Sequence, residues 1–340
     1  MRKKVKIGSI GLGRLGYEHA CNIASLIPEA ELTALCDIDA EHLNKVADEL
    51  GVSKRYTDYE SLCKDPDLDA IAIVSPSALH VEQIECAMAN GKHVFCEKPL
   101  GTDVPQCLAA EKVVAKYPEL KFMLGFMRRF DDSYMDVKAR IDRGEIGKVI
   151  LMRSYTQDPV STIESTLKFA PHSGGQFLDM CVHDLDLLRW FTGSPIKNLW
   201  AIGGVFAYDL YRKLNDGDNV AAMLQCENEA MGFIFAGRAA AHGCNVETEV
   251  IGTKGTLRIA SVPAKNLVEI MSEHGVSRVC YEDFMARWHQ AYINEIREFC
   301  RCIIENRQPD VTVQDGTAAS EAAYRCKESF EKGRMLPLRD

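Results

Sequence analysis

The chain has no C-x-x-C pair, no apolar stretch of about 20 residues, no basic excess, no internal repeat and no low-complexity linker. Each absence closes off a class. The 13 cysteines are scattered, with only Cys300 and Cys302 close together. They read as reduced thiols packed as small apolar side chains, rather than a disulfide frame or a zinc site. A formal charge of -9 offers no electrostatic footprint for nucleic acid or an anionic membrane. The opening M-R-K-K-V-K runs straight into I-G-S-I-G-L-G, which is not the sustained apolar core of a secretory signal. A cytoplasmic protein that neither spans a membrane nor binds a polyanion is expected. What remains, 340 residues at 46% hydrophobic and 26% charged, suits two soluble domains.

The first part of the chain alternates between the two periods expected of strands and helices. Val5 to Ile10 reads as a buried strand, followed at once by Gly11-Leu12-Gly13-Arg14-Leu15-Gly16 and a helix over Tyr17 to Leu26. In a G-x-G-x-x-G turn the first glycine bends the chain, the second lets backbone approach a pyrophosphate, and the third lets helix and strand pack closely. A second strand, Glu31 to Cys36, ends on Asp37, where a carboxylate would take the ribose hydroxyls of NAD and repel the 2′-phosphate of NADP. The competing reading makes Asp37 the cap of a helix over Ala40 to Leu50. Asp69 to Val74 is a further strand, closed by Ser75-Pro76-Ser77 before a helix from Leu79 to Ala89 that carries His80. Ser75 suits either a turn or a ribose contact. His80 suits a structural role better than a catalytic one.

His93 to Phe95 then delivers Glu97 and Lys98 to the carboxyl edge of the sheet, where such folds bind ligands. A helix over Val104 to Lys116 and a strand over Lys121 to Gly125 complete the alternation. The expected fold class is α/β: a doubly wound parallel Rossmann sheet over residues 1–125 binding NAD. Residues 126–340 are expected to form an α+β substrate-binding and oligomerisation domain with a large, mostly antiparallel open sheet, its C-terminal helices free to pack back on the first domain. Its predicted parts are a helix to about Arg143, a strand from Lys148 to Tyr155, and an irregular Ser/Thr-containing loop. A helix bearing Asp179, His183, Asp184 and Asp186 follows, then successive strands from 196 to 281 and two closing helices.

Asp179 and His183, four residues apart, would share one helix face. An imidazole beside a carboxylate can take a proton from an alcohol, and the Lys98 ammonium can stabilise the alkoxide as hydride leaves for a nicotinamide. Two rival readings remain: a surface helix pair without chemistry, and a metal site of Asp179, His183 and Asp186. No further cluster of ligand spacing supports the metal, and none is expected.

Gly11 to Gly16, Glu97-Lys98-Pro99, Gly125 to Asp131, Ser173 to Asp186 and Gly252 to Leu257 together resemble the glucose-fructose oxidoreductase, inositol dehydrogenase and rhizopine-catabolism (Gfo/Idh/MocA) family. Within it, the inositol 2-dehydrogenases look nearest, and the likeness covers essentially the whole chain. The resemblance implies oxidation of a secondary alcohol of inositol or a related cyclic polyol or sugar with NAD. It implies a catalytic set of Lys98, Asp179 and His183, with His183 the proton acceptor and Asp179 its orienter. It further implies a cis peptide before Pro99 and a homotetramer built through the broad sheet face. The cofactor set is then Gly11, Leu12, Gly13, Arg14, Leu15, Asp37, Ser75, His80, Glu97 and Lys98, and the substrate set adds Met127, Arg128, Thr156 and Asp158. Thr156 stands where inositol dehydrogenases tend to have histidine, and His242-Gly243-Cys244-Asn245 where they tend to have tyrosine, which shifts the hydroxyls the pocket would read. Alternatives are an NAD-dependent glycoside hydrolase of the same fold, another sugar dehydrogenase, and an NAD-sensing protein without turnover.

Overall fold

The structure, a computed structural model, describes residues 4–339 and divides them into two compact units. The chain up to Phe130 together with Gln290–Ser320 makes the first, and Asp131–His289 with the chain from Glu321 makes the second.

In the first unit six parallel strands form one sheet in the order β3-β2-β1-β4-β5-β6. They are β1 (Val5–Ile10), β2 (Ala30–Cys36), β3 (Lys54–Tyr56), β4 (Ala70–Ile73), β5 (His93–Glu97) and β6 (Phe122–Gly125). β4, A-I-A-I, is buried throughout, the continuous apolar run of a strand covered on both faces. The order reverses between β1 and β4, which opens a crevice at their carboxyl ends. Helices α1 (Arg14–Ser25), α2 (Ala40–Leu50), α3 (Tyr59–Cys63), α4 (His80–Ala89) and α5 (Val104–Ala115) connect the strands. Asp39, not Asp37, caps α2, accepting the Glu41 and His42 N–H groups at 3.1 Å each, so the capping reading of Asp37 is corrected. Sequence patterning passes over β3 and α3. Both are too short for a period to show, and the ion pair of Lys54 with Asp65 at 2.8 Å helps hold that corner.

The second unit is built on a seven-stranded mixed sheet of order β12-β11-β7-β10-β9-β8-β15. Its strands are β7 (Val149–Pro159), β8 (Ile196–Gly204), β9 (Asn219–Cys226), β10 (Met231–Ala240), β11 (Asn245–Gly252), β12 (Thr256–Ile259) and β15 (Leu336–Pro337). Only the β7–β10 pair is parallel. β7 runs four residues beyond its expected end at Tyr155, and a helix, α7 (Ile163–Phe169), follows where a loop was expected. The apolar alternation fades in β7 because the buried positions after Met152 are the polar Ser154 and Thr156. β13 (Ile270–Ser272) and β14 (Gly275–Ser277) form a separate hairpin, shorter than the strands expected there. Other helices are α6 (Asp132–Asp142), α8 (Val182–Thr192) and the short α9 (Leu210–Lys213). α10 (Phe284–Ile304) and α11 (Val313–Lys332) each contribute residues to both units.

All thirteen cysteines are free thiols, ten of them buried. Among the described residues no helix is long and apolar enough to cross a membrane.

Candidate active site

The glycine turn has the packing its spacing predicts. A Cβ on Gly11, whose φ is +87°, would lie 2.7 Å from the Val74 carbonyl oxygen, and one on Gly16 only 2.0 Å from that of Gly11. At Gly13 a Cβ would meet nothing within 4 Å. Gly13 is also the N-cap of α1, whose first amides have no side-chain cap. An open backbone approach beside a helix N-terminus fits a pyrophosphate. Leu12 is buried, Leu15 half-buried and Arg14 exposed. Asp37 accepts the Leu12 N–H at 2.7 Å and the Asp39 N–H at 2.9 Å, so its carboxylate already shapes the glycine turn. An ionised carboxylate has about four acceptor positions, which leaves it room for ribose hydroxyls.

Ser75 Oγ donates to Gln83 at 2.5 Å. His80 is fully buried, its ring nitrogens 3.0 Å from the Ser75 carbonyl and 2.9 Å from that of Pro99, and burial lowers its pKa. It thus ties the end of β4 to the segment carrying Lys98. Lys98 itself is half-buried, just after β5, and the Lys98–Pro99 peptide is cis. Glu97 is buried, taking the Lys98 N–H on Oε2 at 3.0 Å and facing His19 Nε2 with Oε1 at 2.8 Å. Met127 and Arg128 lie buried in a 3₁₀ turn after β6.

In the second unit Asp179 sits in a π-helical turn, Phe177–Cys181, and not in the α-helix expected; α8, with His183, begins just after it. Wide turns of this kind recur at functional sites. His183 is buried, and Asp179 is half-buried. Asp179 forms a close ion pair with Arg238, whose Nη1 also reaches Asp158 at 2.5 Å and whose Nε donates to Gln176 Oε1 at 3.0 Å. Burial works against the guanidinium charge, but Asp179 and Asp158 outweigh it and hold Arg238 charged. Thr156 Oγ1 donates to Asp184 at 3.0 Å, and Ser154 Oγ to the same carboxylate at 2.6 Å. Asp184 is therefore bound into the sheet's inner face.

Sequence reasoning passed over Arg238 and Gln176, although a signal existed. Gly232, Ile234, Ala236, Arg238 and Ala240 occupy the buried alternation of β10, and a cation in that row demands a buried counter-charge. It also passed over His19 and Glu295, which lie with Glu97 in the first unit. Among the described residues these three, rather than Asp179, His183 and Asp186, are the group of metal-ligand type that converges.

The family model described as "Oxidoreductase family, NAD-binding Rossmann fold" matches residues 5–126, and the "GFO/IDH/MocA C-terminal domain" matches residues 134–258. The chain is 35% identical to the scyllo-inositol 2-dehydrogenase (NAD(+)) of Bacillus subtilis (strain 168), over 99% of this chain and 97% of that protein. A crystal structure of scyllo-inositol dehydrogenase from Lactobacillus casei with bound NAD(H) and scyllo-inositol superposes with a TM-score of 0.96 at 45% identity, covering 99% of this chain and 100% of that one. The myo-inositol 2-dehydrogenase of Lactobacillus plantarum gives a TM-score of 0.95 at 38% identity, over 98% and 99% of the two chains. With both halves matched and full-length relatives of this identity, the chain belongs to the Gfo/Idh/MocA oxidoreductase family, whose amino-terminal domain is an NAD-binding Rossmann fold.

Proposed function

We propose that this protein is an NAD-dependent inositol dehydrogenase that oxidises a secondary ring hydroxyl, with scyllo-inositol its first substrate and myo-inositol its second. The observation that carries the reading is the full-length match, at 45% identity, to a scyllo-inositol dehydrogenase seen with NAD(H) and scyllo-inositol. The open approach at Gly13 and the acceptor at Asp37 fit the dinucleotide. When bound, NAD supplies a hydride acceptor. His183 takes the hydroxyl proton, and the Lys98 ammonium offsets charge developing on the oxygen. Arg238 holds Asp179 and Asp158 in place from one guanidinium. Thr156, engaged with Asp184, presents no imidazole to the ring hydroxyls, which supports a preference unlike that of a histidine-bearing pocket.

The protein also associates with copies of itself through the outer sheet face, most simply as a homotetramer, and works in the cytoplasm, where its free thiols stay reduced. Support for association lies in apolar side chains on that face: Trp200 stands opposite Met223, which stands opposite Phe233.

The deciding experiment follows NADH absorbance over scyllo-, myo- and other inositols, with NADP run in parallel. Sustained NADH formation with scyllo-inositol is expected. No reduction of either cofactor by any inositol would remove the reading, and glycoside cleavage without net NADH would favour the hydrolase.

A further inference from the structure

Beneath the strand that leads into Lys98, the first unit buries a cluster of three ionisable groups that the reaction above does not use. Glu97 comes from β5, His19 from α1 and Glu295 from α10, and all are buried. His19 Nε2 lies 2.8 Å from Glu97 Oε1 and 3.9 Å from Glu295 Oε1. Glu97 takes donors on both oxygens: His19 on one, the Lys98 N–H on the other. Its carboxyl group also lies against Gly125, where an added Cβ would meet the carboxyl carbon at 3.0 Å. Glu295 differs. It is 0% exposed, and neither of its oxygens has a hydrogen-bond partner.

A fully buried carboxylate beside another carboxylate and without donors of its own cannot be sustained as a charge. Either a cation neutralises the pair or a proton does. A hard divalent ion takes six or more oxygens and zinc takes four ligands. The rings packed around His19, Phe95 and Tyr292 with Phe299 behind them, add no carboxylate or imidazole to the three groups present. The proton is the better answer.

We propose that Glu295 is a neutral carboxylic acid sharing a single negative charge with Glu97, and that the cluster positions the backbone from which Lys98 projects. Glu97 is then gripped from two sides, by α1 through His19 and by the Lys98 N–H, while the proton on Glu295 keeps a second charge from repelling it. Because α1 also carries the glycine turn, the grip joins the phosphate-binding turn to the lysine. The direction of titration agrees: burial first, and then the Glu97 charge, push the Glu295 carboxyl well above the usual range. Cys96, Tyr292 and His80 also feel the Glu97 charge, and Arg14 and Arg128 act on Tyr292. Glu97, His19 and Glu295 are positioning residues, a role that rests on the part given to Lys98 in the proposed reaction.

The test compares the full-length protein with Glu295→Gln, Glu295→Ala and Glu97→Gln. Infrared spectra at neutral pH should show a protonated-carboxyl band in the natural protein that Glu295→Gln removes. Glu295→Gln, the shape of the neutral acid, should keep kcat within about twofold, and Glu97→Gln should lower kcat at least about tenfold. Absence of the carboxyl band, Glu295→Gln as damaging as Glu295→Ala, or stoichiometric divalent metal in the purified protein would overturn the proposal. Were no inositol oxidised at all, the infrared and elemental measurements would still decide the charge state, so the two readings fail separately.

Discussion

At the buried face of β10, replacing Arg238 with methionine would leave Asp158 and Asp179 as carboxylates without their shared cation. Removing one partner from a buried ion pair is more costly than the pair is worth, so a stability loss of about 3 kcal/mol is expected in urea unfolding. Arg238→Lys should recover most of that stability and little of kcat, because an ammonium cannot hold two carboxylates and an amide in one plane. Asp37→Ala should weaken NAD more than it strengthens NADP. It removes the acceptor proposed for the ribose and also frees the Leu12 N–H, so the KM for NAD should rise about tenfold while discrimination narrows. Lys98 and Asp37 could be singled out in the sequence because each is a charged residue just past a strand end, and His183 because it stands four residues from Asp179. The partners of Arg238, His19 and Glu295 could not be, since they lie far away in the chain: 19 to 295, or 179 to 238. Only the fold supplies such pairings.

Among the elements, the strand-helix alternation of the first unit, β3 and α3 apart, could be read to within about three residues at each end, because buried parallel strands are continuous apolar runs between turn signals. β7 could not be read past Tyr155, where Asp184 turns inward-facing hydroxyls into satisfied core groups. The turn holding Asp179 eluded the pattern for another reason: a π turn differs from an α turn by one residue, too little for a hydrophobic period to register. Capping gives a prediction of its own, since the structure moves the cap of α2 from Asp37 to Asp39. Asp39→Ala takes the acceptor from the first turn of α2 and should cost about 1 kcal/mol in chemical denaturation, with little effect on turnover.

For the whole molecule, the outer face of the second sheet offers Trp200 and Met223 side by side on neighbouring strands, both exposed. A double change, Trp200→Glu with Met223→Glu, should shift sedimentation toward smaller species without altering the far-ultraviolet circular dichroism. Stability against pH provides a separate check. A carboxyl whose native pKa is raised holds its proton where the unfolded chain, near about 4.3, has released it. The contribution of neutral Glu295 is therefore full below that pH and declines as pH rises toward the native value. In Glu295→Gln the decline should vanish, so melting temperatures measured from pH 4 to 8 should fall less steeply than in the natural protein.

α10 and α11, counted partly in each unit, impose an order of events on synthesis. A ribosome that has made residues 1–130 has produced every strand of the parallel sheet, yet Glu295 and its helix remain more than a hundred codons away. Until they emerge, His19, Phe95 and Glu97 lack one wall of their enclosure, and the nascent chain carries an open apolar flank. A polypeptide ended at Phe130 should accordingly aggregate when expressed alone and gain solubility when residues 284–320 are supplied as a second polypeptide.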